Sequence, residues 1–546
     1  MNRTVALGGE LRGRGLIGGR TKPETWFLLA TVVIAAVVMI MGASSLWSLL
    51  IAAVIAGMGL LLSWPAPLLG GRSVIALVTE LIYTRVRARS GSNVFDPVVE
   101  AQASERVAAN RAHAKAVLEA KKKKQPAPAA VPGAGQGRPV ELVAAMKRAR
   151  ERSASVLGAP LFIGKIQIRQ VPCPDGSMLA VARHANTSEA YYSVVFEVQG
   201  MASGAVESDV AEVPFLSWGA GFLAQAARRS HPVSHVQSFT RSVPADMYDH
   251  VAWLKDYVDP KVREEVLASY QALTLDARRM GEQHRSYVVL RFDKSDALAR
   301  LDRRFVGVED AREHGIAQEA ATLMAKGRSS RSFADFRPVD GPRLMALMAH
   351  LQNPYEYDVD AVGLTPQTVF SHLDGSVTRE AVVADGQAYT RVGYIPRNGF
   401  AGDEISVRTM NQFISTIQPA VIHSVSWINK LEDAAISRGK ARRRRASSVA
   451  RKSERDKRGQ IGDGTEEVLL SADTQRSIDL KPNSGHHGAE WAAYISFTVA
   501  SEEELYQVSS QIEAQAFDAG IERIEWLDGK QDLALAAVMP LGRGIR

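Results

Sequence analysis

Two histidines and a carboxylate fall within "GHHGAE" (Gly485–Glu490), and imidazole with carboxylate is a donor set that can hold a metal or move a proton. In a polar loop ahead of a strand the signal is weak, and the plain expectation is a loop with no metal. Cys173 is the single cysteine, which excludes an intrachain disulfide and a multi-thiolate zinc site within one chain. It reads as a small buried or half-buried loop residue rather than a nucleophile. A phosphate-binding loop needs G-x-x-x-x-G-K-[ST], so that backbone amides cradle phosphates and the hydroxyl reaches magnesium. Gly-Lys occurs at Gly164-Lys165, Gly439-Lys440 and Gly529-Lys530, never followed by Ser or Thr. Asp293, closing "VVLRFD", has no such loop beside it and reads as a strand end. "FLSWGAG" lacks the first glycine of a nucleophile elbow and lies in a helical pattern. No enzyme activity and no cofactor are expected.

The other chemistry on offer is charge. The net charge of +7 is modest, but Arg442–Arg458 concentrates it. Arg442, Arg443, Arg444 and Arg445 sit at the end of a helical pattern, "ARRRRASSVARKSERDKR". The simplest expectation is a solvated helix end or hairpin tip. Clustered arginines could also grip nucleic-acid phosphates.

The elements that would position these groups begin with an uncharged stretch from Thr25 to Gly71. Trp26–Met41 and Leu46–Trp64 are almost wholly apolar and separated by Gly42-Ala43-Ser44-Ser45. Each approaches the ~20 residues a bilayer core requires. Trp26, Trp47 and Trp64 stand near the segment ends, where indoles favour an interface, and Arg72 follows the second run. Arginines on both flanks place both termini on the cytoplasmic side. The expectation is a plasma-membrane protein with two spans. Leu68–Val86 reads as an interfacial helix, followed by a charged helix reaching Lys121–Lys124 and the Pro/Gly/Ala linker "QPAPAAVPGAGQGRP".

After the linker, "LFIGKIQIRQV", "YYSVVFEVQG", "SYVVLRFD" and "WAAYISFTVA" carry strand composition and alternation. Phe215, Trp218 and Phe222 share a helical face, and "REEVLASYQALTLDARRMGEQH" is a second helix. Arg408–Lys440 reads as mainly helical, kinked at Pro419. Ser501–Glu504 is a capping box, Gly520 a helix stop, and Ile521–Trp526 and Leu533–Met539 read as two closing strands.

The two-span hairpin resembles the PrgI-like and VirB-type small membrane subunits of conjugative type IV secretion systems. "RRRRASSVARK", "YISFTVASEEELYQVSSQIEAQAFDAG" and the closing "LALAAVMPLG" resemble the N-terminal, non-motor half of the VirB-type secretion ATPases. In that family a similar Leu-Pro-Leu-Gly stretch precedes the motor domain, so none of the family's nucleotide-binding residues has a counterpart here. An EccE-like membrane component of type VII secretion is the alternative, and a membrane-tethered enzyme of unknown type a third.

The expected fold class is therefore α+β, a two-helix transmembrane hairpin followed by a large cytoplasmic mixed α/β region without a motor domain. The expected divisions are a basic tail at 1–24, the hairpin at 25–69, and interfacial and charged helices at 70–120. A linker at 121–139 and cytoplasmic regions at 140–350 and 351–546 follow. The resemblance implies an oligomeric scaffold in the lipid bilayer among other membrane subunits, docking a separate secretion ATPase through Leu535, Val538, Met539 and Leu541. Arg442–Arg445 would steer that encounter, with nucleic acid as a further possible partner. An Ala/Arg/Val-rich composition suits a high-GC source such as the Actinobacteria.

Overall fold

The protein is described by a computed structural model. The described residues are 4–6, 9–10, 22–42, 45–63, 73–91, 93–99, 163–164, 166–185, 190–201, 213–244, 257–259, 261–304, 310–359, 361–366, 368–400, 404–406, 413–414, 421–457, 476–478 and 487–544, with positions 102, 112, 160, 254, 409, 417, 470, 471, 473, 474, 480 and 481. The chain forms two compact units, residues 12–93 and residues 1–11 with 94–545.

The smaller unit holds helices α1 (Lys22–Met41), α2 (Leu46–Leu62) and α3 (Val74–Arg89). Ser45 caps α2 by accepting from the Ser48 amide at 3.3 Å. Gly59 lets α1 approach closely, since a Cβ there would meet the Thr31 hydroxyl at 2.5 Å. The expectation of two transmembrane spans is overturned: among the described residues no helix is long and apolar enough to cross a membrane. The reason lies at the helix ends. Helix α1 begins with Lys22-Pro23-Glu24, and α2 ends at Leu62, with Ser63 as its C-cap and the Ser63 hydroxyl on the Gly59 carbonyl at 2.7 Å. Seventeen uncharged helical residues in each case rise about 25 Å, against a hydrocarbon core of about 30 Å. The plasma-membrane, two-span localisation and its keyword set fall with it.

The larger unit is built on a 14-stranded sheet that includes the short strands β2 (Gly9–Glu10) and β3 (Val94–Phe95), while β1 (Thr4–Ala6) belongs to a separate two-stranded sheet. Its first half runs β4 (Ile166–Pro172), β5 (Met178–His184), β6 (Tyr191–Gln199), a π-helical turn at Ser217–Leu223 and β7 (His235–Pro244). Helix α4 (Glu264–Met280), β8 (Glu282–Asp293), α5 (Asp296–Arg304), α6 (Ala311–Ser329), β9 (Asp335–Pro338) and α7 (Gly341–His350) follow. The second half runs β10 (Leu373–Asp374), β11 (Val382–Ala384), β12 (Ala388–Ile395), β13 (Glu404–Ser406) and β14 (Ile422–Leu431). It continues with α8 (Ala434–Lys457), β15 (Ala489–Val499), α9 (Glu502–Asp518), β16 (Glu525–Trp526) and α10 (Gln531–Val538).

The two halves are the same motif. Along the sheet the order is β10-β11-β12-β15-β14-β7-β8-β6-β5-β4, so each half reads outward identically from a central β14–β7 pair. Late in each half a short strand adds to the equivalent partner, β9 on β6 and β16 on β12. The registers agree residue by residue. They relate Phe239 to Ser426, which face each other at the centre, and Tyr287 to Tyr494, both buried. A local pseudo-twofold axis therefore passes through the Phe239–Ser426 pair.

Strand alternation divides the core accordingly. On one face a single cluster spans both halves and takes in Phe239, Tyr287, Ile428 and Tyr494 together with Leu347 of α7 and Leu535 of α10. On the other face the cores are separate. Phe196, Leu290 and Met324 belong to the first half's cluster, and Val425, Ile495 and Ile512 to the second's.

Several local expectations agree with these elements. Ser501 caps α9, accepting from the Glu504 amide at 3.3 Å while Glu504 reaches back to the Ala500 amide at 3.1 Å. Gly520 ends that helix region with φ +84°. Two expectations fail. Ile422–Leu431 is a central strand rather than part of a helix, and 531–538 is helix α10 rather than a strand.

Candidate functional site

The central strands of a sheet covered on both faces are usually its most apolar part. Here they are polar: Gln237, Arg241, Ser242, His423, Ser424 and Ser426 are at most 1% exposed. Alternation assigns Gln237, Arg241, Ser424 and Ser426 to the face carrying α7 and α10, and Ser242 and His423 to the other.

Gln237 holds the segment that follows α10. Its Nε2 donates to Ser426 Oγ at 2.8 Å and to the Met539 carbonyl at 3.0 Å, and its Oε1 accepts from the Gly542 amide at 2.8 Å. Tyr191 Oη donates to the Leu541 carbonyl at 3.1 Å, and Arg291 Nη1 to the Gly542 carbonyl at 3.3 Å. The Arg291 guanidinium lies 4.0 Å over the Tyr191 ring, which stacks on His184 at 4.1 Å. Burial, with Arg543 and Arg291 nearby, holds His184 well below the usual imidazole range, so it stays neutral. Gly542 sits at φ +66°, and a Cβ there would meet the Arg291 side chain at 3.0 Å. The segment is a strap fastened across the sheet.

That strap decides where the expected docking residues lie. Leu535, Val538, Met539 and Leu541 are each no more than 2% exposed and belong to the core shared by both halves. They face the sheet and offer no surface to a partner. Trp26 and Trp47, expected at a membrane interface, are 71% and 76% exposed on α1 and α2. Trp64, Arg72, Lys121–Lys124, the 125–139 linker and His486 lie outside the described residues. Cys173 is buried, and burial raises its thiol pKa.

On the opposite face Ser242 Oγ meets His284 Nδ1 at 2.7 Å, and His284 Nε2 lies 3.6 Å from Glu282. The residue types are those of a hydrolase triad, but Ser242 is fully buried and 3.6 Å is too long for a hydrogen bond. Beside it His423 Nδ1 donates to the Val421 carbonyl at 2.8 Å. Burial above all, with Arg241 and His284 adding to it and that carbonyl opposing, lowers its pKa to about 4. Asp293, at the end of β8, takes Arg291 at 2.8 Å and lies 3.4 Å from His235 Nδ1. Burial would raise its pKa, but these two partners hold it far below the ordinary carboxylate value. It is a paired structural carboxylate. Among the described residues no group of His, Cys, Asp and Glu is arranged to hold a metal.

The basic run forms the middle of α8, a 24-residue helix with ten Lys or Arg and two acidic residues. Its base is tied down. Asp433 caps the first turn through the Ala435 amide at 2.8 Å, and Ser437 Oγ accepts from the Gly488 amide at 3.2 Å. Lys440 bridges Glu432 and Glu490; burial alone would lower its pKa, but the two carboxylates raise it. Further along, Ser448 Oγ donates to Asp473 at 2.7 Å. Arg442, Arg443 and Arg445 are exposed and Arg444 is half-buried. Arg442 and Arg445, with Ala446, Val449, Ala450, Ser453 and Ser477, line an open groove of about 640 Å³.

No protein-family model and no curated protein matches this chain.

Proposed function

We propose that the chain is a non-catalytic docking subunit that recruits a secretion ATPase through the cationic face of α8. The observation that carries this reading is the contrast between the two helices at equivalent places in the repeat. Helix α4 opens with Glu264 and Glu265 and has no arginine run, whereas α8 carries four consecutive arginines. The fold accepts a helix without that charge, so Arg442–Arg445 serve something outside the fold. Arginines beside exposed apolar side chains suit an acidic, partly apolar protein surface, with the charges speeding encounter and the apolar groups supplying burial. The likeness of "RRRRASSVARK" and of the β15–α9 sequence to the non-motor half of secretion ATPases supports that partner.

The test is co-purification of the full chain with a secretion ATPase from the same organism, comparing the native protein with an Arg442→Glu/Arg443→Glu/Arg445→Glu variant. The expected result is loss of the ATPase from the variant, and weaker capture by the native protein as salt rises. Undiminished capture sinks the reading. Retention of the ATPase with loss of duplex DNA binding would assign the helix to nucleic acid instead. The purified chain is expected to show no ATP hydrolysis. Turnover abolished by a point substitution within it would overturn the non-catalytic part.

A further inference from the structure

We propose that Arg241, with His350 and Arg285, forms a binding site for a phosphate group at the seam between the two halves. Arg241 is 1% exposed at the middle of β7. Its Nη1 donates to Ser424 Oγ at 3.0 Å and its Nη2 to the His350 carbonyl at 3.3 Å. Its Nε has no acceptor. Both partners it does have are neutral, and among the described residues no carboxylate lies within ion-pair distance of it. A buried guanidinium without an anion is strongly unfavourable, as is the partner left behind when a buried ion pair is broken.

Packing does not require that charge. The repeat-equivalent position in the second half is Ile428, which is fully buried in the same core cluster. The first half has a cation where its twin has a hydrocarbon.

A second guanidinium stands close by. Arg285 stands directly across β8 from Arg241, so the two project on the same face. The His350 Nδ1 is a second buried nitrogen without a partner. Neutral imidazole can donate there while Arg241 Nε supplies a charge-assisted bond. Tyr287 and Tyr355 are the other ionisable neighbours whose fields reach the guanidinium. Tyr355 is 47% exposed and Arg285 is half-buried, so the cluster reaches solvent at that edge. A tetrahedral oxyanion can accept from several donors carried by different elements, which a chloride would do less completely.

The experiment is thermal denaturation and isothermal titration of the full chain with inorganic phosphate, against chloride at equal ionic strength. A saturable rise in melting temperature specific to phosphate is expected. Arg241→Met is expected to fold, since Ile is accepted at the equivalent position, and to lose the phosphate-dependent rise. Arg285→Ala, at the half-exposed rim, is expected to weaken phosphate binding about tenfold. The Arg442→Glu/Arg445→Glu variant is expected to keep the effect, which separates this site from the surface of α8. No phosphate-specific stabilisation, or stabilisation that survives both Arg241→Met and Arg285→Ala, overturns the proposal. So does an effect that disappears only with the α8 variant.

Discussion

The two halves of the large unit share their strands almost position for position, yet the helix each inserts between its last two central strands has taken a separate course. Helix α4 turns Val266, Tyr270 and Leu273 outward, between 40% and 63% exposed, while α8 turns arginines outward. The strands are constrained by pairing and by two-faced burial, where a change is felt by neighbours on both sides. The exposed positions of α4 and α8 carry no such two-sided constraint, so their composition is freer to follow partners. A similar contrast lies inside the seam, where Arg241 replaces the apolar side chain that Ile428 supplies in the twin. Departures from the repeat mark the residues that the fold itself does not ask for.

The comparison breaks first if the shared core is not shared. Leu347 and Leu535 occupy equivalent positions in α7 and α10 and are buried in one cluster. Leu347→Ala and Leu535→Ala are each expected to cost about 3 to 4 kcal/mol. Each should lower one cooperative unfolding transition of the large unit. Calorimetry that resolves two separate transitions, one for each half, would show that the halves fold independently.

Acid should act through the second half's central strand. His423 is fully buried with its pKa lowered to about 4, so the folded protein binds its proton less readily than the unfolded chain. The stability this contributes is complete above the unfolded value near 6.5 and is lost as pH falls from about 6.5 towards 4. The full effect is about 3 kcal/mol. The equivalent position in the first half is Val236, also fully buried, so His423→Val tests the same strand without its titrating group. That variant should flatten the acid limb of a denaturant-midpoint series between pH 6.5 and 4. An unchanged limb would move the acid sensitivity to His184 and His350, whose pKa values burial also depresses.

A smaller contrast separates two aspartates at equivalent turns. Asp340 caps α7 by accepting from the Arg343 amide at 3.0 Å. Asp528 instead pairs with the buried Arg391 guanidinium at 3.0 Å, which also lies 4.6 Å over the Trp526 ring. Asp528→Ala is expected to cost about 2 kcal/mol, because Glu380, at 3.7 Å, can only partly replace it. Asp340→Ala removes a helix cap and is expected to cost about 1 kcal/mol. Urea midpoints of the two variants check the order, and equal losses would mean that Asp528 acts mainly as a cap.

Much of the strand framework was legible because its signals are local. β-branched and aromatic runs gave β4, β6, β8 and β15, and a capping box gave the start of α9. The repeat is also written in the chain. "VDGPRLMALMA" (Val339–Ala349) and "LDGKQDLALAA" (Leu527–Ala537) share Asp-Gly followed by Ala-Leu-x-Ala at matching spacing. Aligning them turns the closing segment into a helix, because its partner is α7. Without the alignment, Leu533–Met539 passes for a strand, since a helix buried on nearly every side carries no polar stripe. The polar seam was illegible for a different reason. Ser424, Ser426 and His423 look like helix or loop residues in isolation, and only pairing with β7 and the strap supplies their hydrogen-bond partners. The apolar hairpin misleads by a margin of a few residues, because hydropathy shows where charge is absent but not where the helix ends.

The smallest expected effect falls on stability at the two long helices, and there the comparison is sharpest. Arg442→Glu/Arg443→Glu/Arg445→Glu in α8 and Leu273→Ser in α4 alter exposed or solvent-facing side chains. Each is expected to change unfolding free energy by no more than about 0.5 kcal/mol, the usual range for surface sites away from caps and cores. Binding should separate them. If α8 docks the ATPase, the charge reversal abolishes capture with the melting temperature unchanged, whereas Leu273→Ser leaves capture intact. Loss of capture in both variants would mean that the partner spans both halves and reads apolar and basic helices together. A marked fall in melting temperature for the α8 variant alone would give its arginines a structural role, and the contrast between the twin helices would then concern folding rather than recognition.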